Sequence, residues 1–442
     1  MSQSGKLRVA VIGAGAAGLC VARHILARPL TFVPPVVYEL TDHVGGTWFY
    51  EERVGTDDNG YPIHSSMYRD LRTNLPKEVM MFPDFPFDPK LPSFLHHQDV
   101  LHYLENYCNS HAITPHIKFS TVVEEVKPIT METEREGALM WEVISCGKCG
   151  GQSTEMFDSV FVCSGHYSDP HVPSIPGLEH FKGTVMHSHS YRYPEPFSGQ
   201  SIVVLGAGAS GVDISIELAQ ANAQVILSHN KPALPFSLPA GVRQAAPVVR
   251  VLEDGSFEFQ DGSLAHAQVL MLCTGYNFTF PFLHSTQLGL QVQEHLITPL
   301  YKFLVPPAYP SLFFVGICKV ICPFVHFNCQ VQFALAILDG TVKLPSREEM
   351  EKEVRREMQE KAERGVQTKH LLKMDSEQWD YYKMLARTGE FSPPPPVIQS
   401  LYDEVGRQRR KDPRTYRHLN YSLLSDTRWT LLEAQPLRAD EV

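Results

Sequence analysis

Two stretches far apart in the chain carry the same structural instruction. "KLRVAVIGAGAAGLCVARHIL" runs from Lys6 to Leu26, and "QSIVVLGAGASGVDISIELAQANAQVILS" runs from Gln200 to Ser228. Each reads as a buried apolar strand, a Gly-x-Gly-x-x-Gly turn and a helix. A second apolar strand follows, "PPVVYEL" (34–40) in the first unit and "AQVILS" in the second. This internal duplication is the strongest constraint on the fold: it predicts an α/β protein with two dinucleotide-binding, Rossmann-like domains. With 442 residues, 43% of them hydrophobic, the chain can bury the cores of two or three domains.

The two loops differ in what they would hold. In Gly13-Ala14-Gly15-Ala16-Ala17-Gly18, the first glycine permits the tight turn, the second lets backbone approach a pyrophosphate, and the third lets the helix pack on the strand. Glu39 ends the second strand of this unit, where a carboxylate accepts hydrogen bonds from a ribose diol and repels a 2′-phosphate. The first site therefore suits FAD or NAD. Gly206-Ala207-Gly208-Ala209-Ser210-Gly211 repeats the device, but its second strand ends in Ser228, His229, Asn230 and Lys231, with no acid. A hydroxyl, an amide and a cation favour NADP over NAD, although Lys231 stands where an arginine is often found. FAD in the first site and NADPH in the second describe a flavoprotein that accepts hydride from a nicotinamide. "VGGTW" (44–48), with Gly46, Thr47 and Trp48, follows Glu39 and could admit the flavin pyrophosphate closely.

The remaining punctuation gives the threading. "FDSVFVCSG" (157–165) is a buried strand that runs into a proline-rich connector, "AQVLMLCTGYNF" ends a second strand at Thr274-Gly275, and "SLFFVGI" returns as a short buried strand. These read as two crossings of a discontinuous FAD domain with the NADPH domain inserted. The expected parts are 1–170 (FAD domain, first part), 171–281 (NADPH domain), and 282–442 (FAD-domain return plus a helical extension). "DVLHYLENYCNSH" is expected to be helical, "IKFSTVVEEVKPI" and "LMWEVISC" to be strands, Arg347–Arg364 a solvated helix of mixed charge, and "SPPPP" (392–396) a stiff turn.

Several function classes drop out. The net charge is −10 and the one dense basic run is "RQRRK" (Arg407–Lys411), so no nucleic-acid footprint is expected. Neither a secretory signal nor a transmembrane anchor is expected. Nine cysteines suggest free thiols in the cytoplasm. Cys146-x-x-Cys149 has dithiol or half-zinc spacing, but it falls between "MWEVISC" and "FDSVFVCSG" and reads as a hairpin tip. A disulfide reductase using that pair is a rival reading.

"FKGTVMHSHSY" (181–191) holds His187 and His189 at a spacing that invites a metal reading, with His166, His171 and His180 upstream. Its Phe181, Gly183, His187 and Tyr191 resemble instead the Phe-x-Gly-x-x-x-His-x-x-x-Tyr/Phe fingerprint of flavin-containing monooxygenases. "TNLPKEVMMFPDFPF" (73–87) resembles that family's active-site segment, and "LFFVGI" and "FNCQVQFA" resemble its C-terminal return. The resemblance spans residue 6 to about 345. It implies Asn74 as the active-site asparagine, with Thr73, Leu75, Val123, Thr274 and Gln330 added to the cofactor contacts. It also implies NADPH-driven oxygenation of a lipophilic amine or thioether by O₂ through a C4a-hydroperoxyflavin, chemistry carried by the cofactor rather than an acid–base triad. Tyr191 argues for this branch over the Baeyer–Villiger ketone monooxygenases, the other alternative, which usually carry tryptophan there. No metal is expected, and His187 is expected to pin the domain crossing by hydrogen bonding. Cys273 replaces the family's usual alanine. Phe278, Phe280 and Phe282 are expected to help wall the substrate site. Oligomeric state stays open, a homodimer being one option.

Overall fold

The computed structural model describes residues 5–58, 60–130, 139–148 and 150–432. Its centre is a pair of five-stranded parallel sheets with matching layouts. In the first, Val9–Ile12 lies in the middle. Val36–Tyr38 and Ile117–Lys118 follow on one side, and Ser159–Val162 and Leu312–Phe314 on the other. In the second, Ser201–Leu205 is central, with Gln224–Ser228 and Val242–Ala245 on one side and Val269–Leu272 and Thr184–His187 on the other. Each central strand feeds a glycine turn and a helix, Ala16–Leu26 or Ala209–Gln220. These central strands are almost wholly buried apolar runs, as parallel strands covered on both faces require.

Glycine is obligatory at the turns. An added Cβ at Gly13 would sit 2.5 Å from the carbonyl oxygen of Cys163, and one at Gly206 would sit 2.5 Å from that of Cys273. At Gly18 and Gly211 a Cβ would lie 1.8 Å from the carbonyl oxygens of Gly13 and Gly206. Gly13 and Gly206 also hold φ of +104° and +107°, a region closed to most side chains. The two units therefore repeat at the level of atomic contacts as well as sequence.

Other elements complete and correct the expectations. The helix from the 97–110 stretch forms, capped by His96 and Asp99. "IKFSTVVEEVKPI" breaks at Ser120, whose φ is +49°, into Ile117–Lys118 and Thr121–Thr130 in different sheets. "FDSVFVCSG" is not the hairpin partner of "MWEVISC". Leu139–Gly147 pairs with Gln152–Phe157, and only after Asp158 does the chain enter the parallel sheet as Ser159–Val162. The polar 152–156 stretch hid that strand, because it forms an exposed edge with no apolar periodicity. "SPPPP" runs directly into the helix Pro396–Lys411, with Pro396 at the first helical position. Arg347–Glu363 is helical with a Ser346–Glu349 capping box, yet Met350, Val354 and Lys361 face inward, and Lys361 donates to Leu371 O. No helix among the described residues is long and apolar enough to cross a membrane.

The third-glycine contact gives a sharp expectation. Inside a helix, Gly→Ala normally stabilises by about 1 kcal/mol. Gly211→Ala should instead lower the melting temperature by more than about 5 °C, since backbone must move. Gly208→Ala, whose Cβ meets nothing within 4 Å, should leave it within about 1 °C. Thermal unfolding of the two variants checks this.

Candidate active site

What covers the two loops sets them apart. Over the first, Gly45 and Gly46 take φ of +113° and +56°, and Gly45 N–H donates to Ala14 O at 3.1 Å. A Cβ on Gly46 would come within 3.0 Å of the Gly15 Cα, so the Gly46-Thr47-Trp48 turn lies directly against the loop. Thr47 Oγ1 pairs with Ser66 Oγ, and Trp48 packs on the core. Glu39 is buried, and its carboxylate accepts from Ala14 N, Thr41 N and Thr41 Oγ1 at 2.7–2.8 Å. Beside the loop, the Ser164 hydroxyl is buried without a partner. A backbone cradle, a pinned carboxylate and an unsatisfied donor suit a flavin dinucleotide.

The second loop is open. Gly208, Ala209 and Ser210 are exposed, and a groove of about 480 Å³ runs nearby, lined by Asn230, Lys231, Gln244 and Gln260 among others. The Lys231 ammonium donates to Ala207 O, which ties the strand end to the loop. Ser228 is a correction. It is fully buried, its hydroxyl donates to Ala246 O and accepts from Val248 N, and it has no face on the groove. Asn230 and Lys231 are left as the polar groups of that strand end that can meet a phosphate.

The two crossings run side by side. His171 N–H donates to Gly275 O and Asn277 N–H to Asp169 O, both at 2.9 Å, and Thr274 Oγ1 donates to His171 O at 2.5 Å. His187 locks this ribbon. Its Nδ1 accepts from His189 N–H, so Nε2 carries the proton it gives to Gly275 O at 3.0 Å. Burial, the main cause, pulls the His187 pKa down to about 4, so the ring is neutral near pH 7. The other fingerprint residues pack within the second unit. Phe181 packs edge-on against Phe257, a Cβ on Gly183 would strike Gln268 O at 2.3 Å, and the Tyr191 hydroxyl donates to Glu217 Oε2 at 2.5 Å.

Asn74 lies half-buried in a bend, and its amide takes no hydrogen bond from the described residues. Its neighbours are fixed. Thr73 N–H donates to Leu95 O, Leu95 N–H donates to Thr73 Oγ1, and Leu75 packs on the core. Val123 packs half-buried in the antiparallel sheet. Gln330 departs from its implied role. It is fully buried, accepts from Gly316 N–H and donates to Tyr381 Oη, both at 2.9 Å, so its amide serves the fold. Phe278, Phe280 and Phe282 bury into the main core, Phe280 edge-on to Phe314, instead of lining an open wall. Cys146 lies near the end of Leu139–Gly147, the middle strand of its three-stranded antiparallel sheet, and Cys149 lies outside the described residues.

Some groups escaped the sequence reading. Buried Arg192 follows the fingerprint tyrosine and donates to the carbonyls of Glu51, Arg53, Ser65, Met67, His189 and Tyr191. It pins the 51–67 loop to the second unit, and backbone acceptors leave no trace in side-chain patterns. The connector residue His171 meets His295 and Glu294, their ligand atoms within 4.8 Å of one another. His171 Nδ1 is also engaged by Asn277 and His295 Nδ1 by Tyr276 O.

A family model described as flavin-binding monooxygenase-like matches residues 6–234 and 231–402. The chain is 35% identical over 430 residues to flavin-containing monooxygenase FMO GS-OX-like 4 of Arabidopsis thaliana, covering 92% of this chain and 93% of that one. Its fold matches S-allyl-L-cysteine S-oxygenase from Allium sativum with a TM-score of 0.84 at 35% identity, covering 93% and 95% of the two chains. It matches Tmm from Pelagibacter sp. strain HTCC7211 with a TM-score of 0.81 at 30% identity over 93% of each chain.

Glu217 makes the packing of Tyr191 pH-sensitive. Burial, its largest influence, raises its pKa to about 7 against the pull of the Tyr191 hydrogen bond. A carboxyl whose folded pKa is raised contributes stability that is complete below its unfolded pKa and is lost as pH climbs through about 7. Glu217→Gln keeps the acceptor for Tyr191 and removes the charge. It should be more stable than the parent at pH 8, by on the order of 1–3 kcal/mol, with the gap closing towards pH 5. Denaturant melts across that range measure it.

Proposed function

The chain belongs to the flavin-binding monooxygenase-like family, whose members use FAD and NADPH, and from that premise we propose that it transfers one oxygen atom of O₂ to a soft nucleophile, a thioether sulfur ahead of a tertiary amine nitrogen. The observation that carries the reading is the juxtaposition just described. Two glycine-loop cradles stand on one chain whose crossing His187 pins, and Asn74 carries a neutral amide that takes no hydrogen bond from the described residues. The preference for sulfur leans on the S-oxygenase from Allium sativum, and the amine alternative on the similarity to Tmm.

The Gly13–Gly18 loop, Glu39 and the Gly46–Trp48 turn would hold FAD, and the Gly206–Gly211 loop with Asn230 and Lys231 would hold NADPH. When bound and reduced by NADPH, the flavin supplies activation of O₂; one atom goes to the substrate and the other leaves as water. The protein supplies position and exclusion of water. Asn74 offers both a donor and an acceptor without a titratable proton, so it can orient polar partners without delivering a proton that would release peroxide. His187, held neutral, ties the end of Thr184–His187 to Gly275 without adding charge to the crossing. All eight described cysteines are unpaired, which fits a cytoplasmic enzyme.

The test is NADPH consumption across a panel of methyl thioethers, tertiary amines and a cyclic ketone, with hydrogen peroxide followed in parallel. At least one thioether should speed consumption and give sulfoxide with little peroxide. A preference for the ketone, or peroxide accounting for all NADPH whatever is added, would sink the proposal. Asn74→Asp should keep bound FAD yet cut product formation by at least about tenfold, with peroxide appearing in its place.

A further inference from the structure

Beyond the fingerprint and the loops, a strap formed by the end of the chain reaches both halves of the site. After the helix Pro396–Lys411, the turn Tyr416–His418 leads into the hairpin Asn420–Ser425/Arg428–Leu432. Arg417 sits on that turn with only 16% of its side chain exposed. Its two terminal nitrogens form a bidentate pair with Asp213, at 3.3 and 2.6 Å, and its Nε–H donates to the carbonyl of Thr73 at 3.0 Å. The strap is anchored alongside, where Ser93 N–H donates to Asn420 Oδ1 and Tyr421 N–H donates to Ser93 Oγ, both at 2.8 Å.

The placement of those partners gives the contact its meaning. Thr73 immediately precedes Asn74, and its carbonyl lies in the peptide link that orients Asn74. Asp213 sits in the first turns of the helix that the second glycine loop opens, two residues after Gly211. One planar guanidinium therefore fixes the active-site segment against the nucleotide-facing end of the NADPH helix. Three fixed donors make this link rigid in a way that a lysine, a point charge on a flexible stem, cannot reproduce.

We propose that Arg417 is a positioning residue that sets the register between Asn74 and the nicotinamide cradle, and that the strap thereby governs how NADPH electrons are divided. This rests on the monooxygenase reading. In the coupled course, NADPH, H⁺, O₂ and a thioether give NADP⁺, water and a sulfoxide: one oxygen atom forms the bond to sulfur and the other leaves as water with the two electrons from NADPH. In the uncoupled course, NADPH, H⁺ and O₂ give NADP⁺ and H₂O₂. A site whose two halves are no longer held in register should retain NADP⁺ poorly and favour the second course.

The experiment compares the holoenzyme with Arg417→Lys, Asp213→Asn and the double variant. Four quantities are read: FAD content, melting temperature, NADP⁺ affinity by calorimetry, and hydrogen exchange of the 73–75 amides. Peroxide per NADPH is then measured with the best thioether. Each single variant should keep FAD, weaken NADP⁺ binding about fivefold or more, speed exchange at 73–75, and raise the peroxide share. The double variant should add little to either single, since both remove one link. If melting temperature falls while NADP⁺ affinity and exchange at 73–75 stay at parent values, Arg417 is only a structural pin and the proposal is wrong. Should Arg417→Lys fail to fold, Asp213→Asn carries the same test. Absence of any oxygenated product in the parent would overturn the monooxygenase reading, while affinity and exchange would still decide the positioning role.

Discussion

The architecture depends on four places where a side chain of even one carbon does not fit. Gly13 and Gly206 lie against the carbonyls that end their neighbouring strands, and Gly18 and Gly211 let a helix sit on its own turn. These contacts fix the helix start, and with it the direction of the free N–H groups and the helix dipole. They also fix Cys163 and Cys273, the first residues after the strands Ser159–Val162 and Val269–Leu272. The cradles and the crossings are thus set by one packing event, repeated twice.

Given two cradles, the remaining problem is to hold them in one relation. The structure solves it with neutral or internally satisfied groups. His187 is held uncharged by burial, Arg192 spreads its charge over six backbone carbonyls, and Thr274 closes the ribbon through a hydroxyl. Such groups pin backbone without leaving an unpaired charge in the crossing, which would be costly in a dry site.

This logic also explains which features could be read from sequence. The glycine loops, Glu39 and the fingerprint were readable because each demands a residue type at a fixed spacing: no Cβ, a carboxylate at a strand end, an imidazole beside a turn. Arg192 and Arg417 were not, because their partners are carbonyls or residues far along the chain. Ser228 and Gln330 were misjudged for a related reason. Their polar groups look available in a string of letters, but the fold uses them for Ala246, Val248, Gly316 and Tyr381. The three phenylalanines at 278, 280 and 282 show the apolar version of this limit, since composition cannot separate a cavity wall from the core behind it.

The two sheets differ in when they can be finished. All strands of the second lie between Thr184 and Leu272, so this unit is complete in the nascent chain soon after Leu272 has been made. The first sheet starts at Val9 but receives its last strand only with Leu312–Phe314, which pairs with Ser159–Val162 across the whole inserted unit. During synthesis, the inserted unit can therefore fold while the first sheet still has an open edge at Ser159–Val162. That edge is apolar and lacks its partner strand until residue 314 has been made, so the interval before it is one of exposure to edge-to-edge association.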